Sequence, residues 1–411
     1  MTSPPLSRHA LSFIFITVLI DTIGFGIVIP VLPQLIVELT GQPVNEAARL
    51  GGWLAFAYAI TQFGFGPVTG NLSDRFGRRP VLLASLLAFA VDYMLMGIAP
   101  TLTLLFVGRV IAGVTGASYT TAYAYIADIS PPEKRAQNFG LMGMAFGFGF
   151  ILGPAIGGLV GEQFGTRAPF FVAGGLALLN AAYGWFILPE SLPRERRRAF
   201  DIRRANPVGT LLQLRRYQPA VLSLAMALFI WQLGHQALQG TWAFYTIYRF
   251  EWTPAMVGAS LAAVGVTAAI VQGGLVRVII PRIGERRAVL LGMASGLAGF
   301  LVYAFAAQGW MMFAGIAVAA FSGLAYPSMN ALMSQQVDSN AQGELQGAVA
   351  SLLSLATIIG PPLMTQLFGY FTGPNAPFQL PGAAFLMAAA LTIGSLLLFQ
   401  RVGGQPGGAR A

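Results

Sequence analysis

The stretch GNLSDRFGRRP, residues 70–80, closes one long apolar run and opens the next. Asp74, Arg75, Arg78 and Arg79 crowd this joint; Gly77 permits a tight turn there, and Gly70 permits close helix approach. A shorter echo, RIGERR, stands at residues 282–287. Arg75 and Gly77 map onto Arg282 and Gly284 at an offset of 207 residues. The same offset carries Gly153-Pro154, in GFGFILGPAIGG, onto Gly360-Pro361, in LATIIGPPLMT. Two independent matches at one offset, near half of a 411-residue chain, indicate duplicated halves.

What surrounds these joints is apolar. Hydrophobic residues make up 55% of the chain and charged residues 9%, against about 25% in soluble domains, so a soluble protein is excluded. A bilayer-crossing helix needs about 20 apolar residues. Spans read near 10–33, 49–72, 80–99, 101–127, 136–160, 168–188, 219–246, 254–279, 287–307, 309–332, 342–371 and 380–400. The predicted fold class is therefore an all-α membrane protein of twelve transmembrane helices in two pseudo-symmetric six-helix bundles. The bundles are residues 1–188 and 219–402, with a basic linker at 189–218 and a flexible tail at 403–411. The first apolar run is too long for a signal peptide and reads as span 1. Parallel six-helix halves with a site between them are a transporter architecture.

The basic residues fix a predicted orientation. With the N-terminus in the cytoplasm, inward segments hold twenty of them, among them Arg75, Arg78, Arg79, Lys134, Arg135 and the run RERRRAFDIRR. Outward segments hold only Arg49, Arg167 and Arg249. The net charge of +9 is thus topological, which argues against a nucleic-acid partner. Both termini are expected in the cytoplasm of a multi-pass inner-membrane protein that contacts anionic lipid.

Three charges lie deep inside spans, away from their ends: Asp21 in span 1, Asp92 in span 3 and Arg109 in span 4. A lipid-facing carboxylate costs about 2.5–3.5 kcal/mol, so such groups are kept for a reason. The 207-residue offset places Leu228, Gly299 and Ile316 at the matching positions, so the second half lacks these charges. The chain has no cysteine and only two histidines, which leaves no thiolate chemistry and no zinc cluster; no metal and no cofactor is expected. No P-loop is present, which excludes ATP-driven transport by this chain, and no set of partners for hydrolytic catalysis appears.

These motifs resemble the major facilitator superfamily, in particular its twelve-helix drug:proton antiporters. GNLSDRFGRRP resembles that family's loop between helices 2 and 3, LFVGRVIAGVTGA its helix 4 signature with Arg109, and GFGFILGPAIGG its helix 5 antiporter signature. LIDTIGFGIVIPVLP is similar to its helix 1 pattern, and the closest resemblance, through DYMLM, RAPFF, MVGASLAAVG and QGELQGAVASL, is to the tetracycline efflux proteins. Those exporters carry an aspartate in helix 9 and a histidine in helix 8 where this chain has Gly296 and Ala268.

The resemblance implies a proton-coupled efflux transporter that exports a drug-like amphipathic compound, tetracycline-type among them, by alternating access and as a monomer. It places Asp21, Asp92 and Arg109 toward one cavity, with either aspartate as the proton carrier; a static ion pair and a cationic-substrate contact are the alternatives. Asp74 is expected at the N-terminus of helix 11, and Arg75, Arg78 or Arg79 on Asp128, as a cytoplasmic gate with Gly70 and Gly77; the bland alternative is a topogenic basic turn. Gly147, Gly149, Gly153, Gly157 and Gly158 are read as thinning one face of span 5, and Pro154 as bending it, with ordinary small-residue helix packing as the alternative. In span 7, Gln232, His235, Gln236 and Gln239 share a helical face. With Gln62, Tyr93, Tyr119, Tyr123 and Asn330 they are read as cavity lining, with interhelical hydrogen bonding as the alternative. Two rival functions remain at this stage: a facilitator for a non-drug metabolite or siderophore, and a non-transporting membrane sensor or scaffold.

Overall fold

A computed structural model describes residues 8–116, 118–200, 209, 217–338 and 341–402. Arg203, Arg204, Arg215 and Arg216 of the basic linker, and the tail 403–411, lie outside the described residues. The described chain is helical from end to end. Span 1 is Arg8–Val28, continued by Leu32–Thr40 after a break beside Pro30; span 2 is Val44–Phe76 and span 3 Arg78–Ile98. Span 4 is Leu102–Thr115 and Ser118–Ile129, interrupted at Gly116; span 5 is Pro132–Phe164 and span 6 Ala168–Ile187. Span 7 is Pro219–Phe250. Span 8 runs Pro254–Ile270, a π-helical turn Val271–Leu275, then Val276–Ile283. Span 9 is Glu285–Phe305. Span 10 is Trp310–Ala319, a 3₁₀ segment Ala320–Leu324 and Ala325–Ser334; spans 11 and 12 are Gln342–Thr372 and Ala383–Val402. Eleven of these, all but span 2, are long and apolar enough to cross a membrane. Span 2 has the length, 33 residues, and carries Glu46, Arg49, Gln62, Asn71, Asp74 and Arg75 along it.

The one-residue joints recur where the repeat puts them. Gly77 (φ 107°) separates spans 2 and 3, and Gly284 (φ 78°) separates spans 8 and 9. Each donates its N–H to a carbonyl four residues back, Ser73 or Ile280, and so ends one helix while starting the next. Only glycine holds such a backbone cheaply.

Two compact units form. The first holds Met1–Ala47, Ala57–Asn206 and Trp252–Gly265; the second holds Ala48–Phe56, Pro207–Glu251 and Val266–Ala411. Within the first, span 1 packs on spans 5 and 6, and span 3 on span 6; within the second, span 7 packs on spans 11 and 12, and span 9 on span 12. The same pairs recur at the repeat offset. Lipid is as apolar as leucine, so close packing rather than hydrophobic transfer holds such helices together. The first core is built on Phe13, Val18, Leu86, Tyr125 and Met142, and the second on Leu224, Leu228, Met293, Met329 and Val349.

Candidate functional site

The centre of the first unit is an ion pair. Asp92 of span 3 is fully buried (0% exposed), and its Oδ2 accepts from Arg109 Nη2 of span 4 at 3.1 Å. Arg109 Nη2 also lies 2.7 Å from Met96 Sδ, and its guanidinium stands 5.7 Å from the centre of the Tyr58 ring. Among the described residues, Asp92 Oδ1 is buried and has no hydrogen-bond partner. It rests against Gly108, where a Cβ would stand 2.7 Å away. The carboxyl is thus split: one oxygen is spent on the guanidinium, and the other can take a proton without breaking that contact. Arg109 keeps its charge throughout.

Asp21 stands half-buried on span 1 in the same unit. Tyr58, Tyr93 and Tyr119 all lie within its electrostatic reach. Next to it, Thr22 donates to the Val18 carbonyl at 2.8 Å, so the 2.7 Å contact between Thr22 Oγ1 and Tyr119 has the phenol as donor. Tyr93 is buried with its hydroxyl under Gly24, and Tyr123 is 43% exposed with its ring 5.6 Å from Phe139. Gln62 donates to Tyr58 Oη at 3.0 Å and to the Gly116 carbonyl at 3.2 Å.

Around the joint between spans 2 and 3, Arg78 is the hub. Its Nε meets Asp128 Oδ2 at 3.1 Å; its Nη1 meets Asp74 Oδ1 at 2.5 Å and Ser73 Oγ at 2.6 Å. Of the three arginines expected to reach Asp128, Arg78 is the one that does. Arg79 Nη2 donates to the Trp185 carbonyl at 2.6 Å, and Arg75 lies 5.1 Å from the Phe76 ring. Asp74 is tied to Arg78, four residues on; Gly70 has open space where a Cβ would point.

Sequence reading missed Glu190 here. Its Oε1 accepts from the backbone N–H of Arg78 at 2.9 Å, capping span 3 from outside, and its Oε2 faces Arg197 at 3.7 Å. A Cβ on Gly77 would collide with that carboxylate. The only signal was an acid just past the end of span 6. Removing the hub guanidinium strands two carboxylates: Arg78→Ala is expected to lower stability by about 1–3 kcal/mol, read as a fall in the melting temperature of purified protein. Arg75→Ala, which loses one exposed ring contact, should leave that temperature unchanged.

The span 5 residues divide between two faces. Gly149, Gly153 and Gly157, four residues apart, lie along span 1, against Leu19 and Thr22, Ile23 and Gly26, and Ile27. Gly158 instead meets the start of span 8, which belongs to the same unit: it faces the Pro254 carbonyl, and Gly258 faces the Pro154 carbonyl, while the Pro154 ring rests against Gly26 of span 1. The glycines were expected on one face and do not share one: Gly157 and Gly158 point about 100° apart, and Gly147 has open space where a Cβ would point.

In the second unit the span 7 row separates. Gln236 is buried (1% exposed) under Gly360 of span 11, with Nε2 3.4 Å from Thr357 Oγ1, so it packs between spans 7 and 11. Gln232 and His235 are half-buried and Gln239 is exposed. His235 Nδ1 lies 3.0 Å from the Trp231 carbonyl, which can only accept, so Nδ1 carries the proton. Its ring is flanked by Trp231 and Phe300 and faces Gly296. Asn330 exchanges two hydrogen bonds, 3.2 and 3.0 Å, with Gln346 of span 11.

Residues 14–361 and 250–409 match the Major Facilitator Superfamily. The chain belongs to the Major Facilitator Superfamily. This facilitator is 40% identical over 395 residues to the tetracycline resistance protein, class C, of Escherichia coli, covering 96% of this chain and 97% of that one. It is 41% identical over 358 residues to the class G protein of Vibrio anguillarum, covering 86% and 89%. Among solved structures, the human organic anion transporter MFSD10 (TETRAN) superposes with a TM-score of 0.70 at 24% identity over 97% of this chain and 100% of that one. The nucleoside transporter NupG superposes with a TM-score of 0.74 at 11% identity, covering 97% and 100%. At those identities the two structures speak for the fold of this facilitator alone.

Proposed function

We propose that this facilitator is an inner-membrane drug exporter, with both termini cytoplasmic, that moves a tetracycline-type amphipathic compound outward in exchange for protons and works without a bound cofactor. The observation that carries the reading is the Asp92–Arg109 pair. Asp92 is fully buried, has one oxygen held by a permanent cation and has the other unspent. A proton arriving from outside adds at Oδ1, turns the carboxylate into a neutral acid and leaves the Arg109 charge uncompensated. That change in charge favours one conformation; substrate, bound beside Asp21 and Tyr119, favours the other. Coupling requires that the two favour different conformations, since each ligand shifts the equilibrium only by its differential affinity. The likeness to tetracycline resistance proteins over nearly the whole chain supports the substrate class.

The test is a proton measurement in everted vesicles carrying an imposed pH gradient. Adding tetracycline should release protons from the vesicle lumen and discharge the gradient, with saturation. No proton movement with tetracycline or with any lipophilic drug, beside movement with a polar metabolite, would replace the drug reading with a metabolite one.

A further inference from the structure

Behind Arg109 lies a second layer that ties it to the interruption of span 4. The Tyr58 ring of span 2 supports the guanidinium from 5.7 Å. The Tyr58 hydroxyl accepts from Gln62 Nε2 at 3.0 Å, and the same Nε2 reaches the Gly116 carbonyl at 3.2 Å, where the helix Leu102–Thr115 ends. Gly113 and Gly116 let span 2 press against span 4 here. A Cβ on Gly113 would collide with Thr61 Oγ1 and stand 2.5 Å from the Tyr58 carbonyl, and one on Gly116 would stand 3.1 Å from the Tyr58 hydroxyl. The second unit has a comparable arrangement: Gln272, in the π-helical turn of span 8, faces Gly323 in the 3₁₀ segment of span 10. Residues 320–324 lie at the repeat offset from 113–117.

We propose that Tyr58 and Gln62 are positioning residues that transmit the charge state of Asp92 to the break in span 4. With Asp92 ionised, the guanidinium is shared between Oδ2 and the Tyr58 ring. When a proton adds to Oδ1 the carboxyl loses its charge, Arg109 keeps its own, and the aromatic face takes a larger share in holding it beside the weakened Oδ2 contact. Arg109 then bears on Tyr58, and through Gln62 on the carbonyl that ends the first half of span 4. This rests on the reading of Asp92 as the proton-binding group.

The chain has no cysteine, so a single Thr115→Cys beside Gly116 reports on the break without background. Its rate of maleimide labelling is measured in full-length protein at one pH, with and without Asp92→Asn as the neutral form. The Asn change is expected to alter the rate by about fivefold or more. In Tyr58→Leu, which removes the ring, and Gln62→Met, which removes the amide, the response to Asp92→Asn is expected to fall to about twofold or less; Tyr58→Phe, which keeps the ring and loses only the acceptor, should fall between. The Phe change also keeps the test open if the Leu variant does not fold. A response of full size in the Gln62→Met and Tyr58→Phe backgrounds overturns the proposal, as does a labelling rate in Thr115→Cys that ignores Asp92→Asn. The labelling uses no substrate, so a failure of the drug:proton reading shows in the vesicles and not here.

Discussion

Asp92→Asn is expected to reduce uphill drug accumulation in everted vesicles to the level of vesicles lacking the protein, while drug binding persists. The amide keeps the shape of the carboxyl and its acceptor for Arg109 Nη2, so the site remains built. What it loses is the ability to gain and release a proton. It also leaves a buried guanidinium without its counter-charge, and removing one partner of a buried pair costs about 3–5 kcal/mol. A loss of transport alone would therefore confuse uncoupling with unfolding. The double variant Asp92→Asn/Arg109→Gln separates them: with no stranded charge its stability should return to within about 1 kcal/mol of the wild type, read from the melting temperature, and it should still not pump. Uphill transport at an undiminished rate in Asp92→Asn would move the proton site elsewhere, with Asp21→Asn the next variant to measure.

The second large effect is expected from a single methyl group. Gly157 of span 5 lies on the backbone of span 1: a Cβ there would collide with the Ile27 carbonyl oxygen and stand 2.7 Å from both Ile27 C and Cα. Backbone cannot rotate aside as a side chain does, so the two helices must part. Gly157→Ala is expected to cost about 1–3 kcal/mol, and Gly157→Val to abolish accumulation of folded protein in the membrane. Gly147, one helix face away, has nothing within 4 Å of its Cβ direction. Gly147→Ala should therefore be neutral or stabilising by up to about 1 kcal/mol, as alanine is the better helix former. Melting temperatures of the two alanine variants in detergent give opposite signs if the span 1–span 5 contact is as described; equal effects would mean that the helices meet through other residues.

Parts of the candidate site were legible because the signals are local. A carboxylate in an apolar run is visible at once, and Asp92 and Arg109 stood out for that reason. The arginine cluster at 75–79 was legible too, but its wiring was not: three arginines and one aspartate permit several pairings, and only the fold gives Asp128 to Arg78. Glu190 and Tyr58 escaped notice because neither is unusual where it stands. An acid after a span and a tyrosine in a helix acquire meaning only from what sits opposite, here the Arg78 N–H and the Arg109 guanidinium. Gln236 shows the reverse: helical spacing placed it with three polar neighbours, yet Gly360 draws it into the contact between spans 7 and 11.

By itself the sequence determined the solvent this chain folds in, the approximate positions of its spans, the duplication at an offset of 207 residues, and the joints at Gly77 and Gly284. Hydropathy, basic-residue placement and glycine backbone freedom act over a few residues or repeat along the chain, so they can be read in order. Only the tertiary structure decided which oxygen of Asp92 is spent, which face of span 5 meets which helix, and what holds Arg109 from behind. Those depend on the rotation of each helix about its own axis, about 100° per residue. That rotation is set by partners distant in the chain, such as Glu190, which reaches Arg78 across 112 positions.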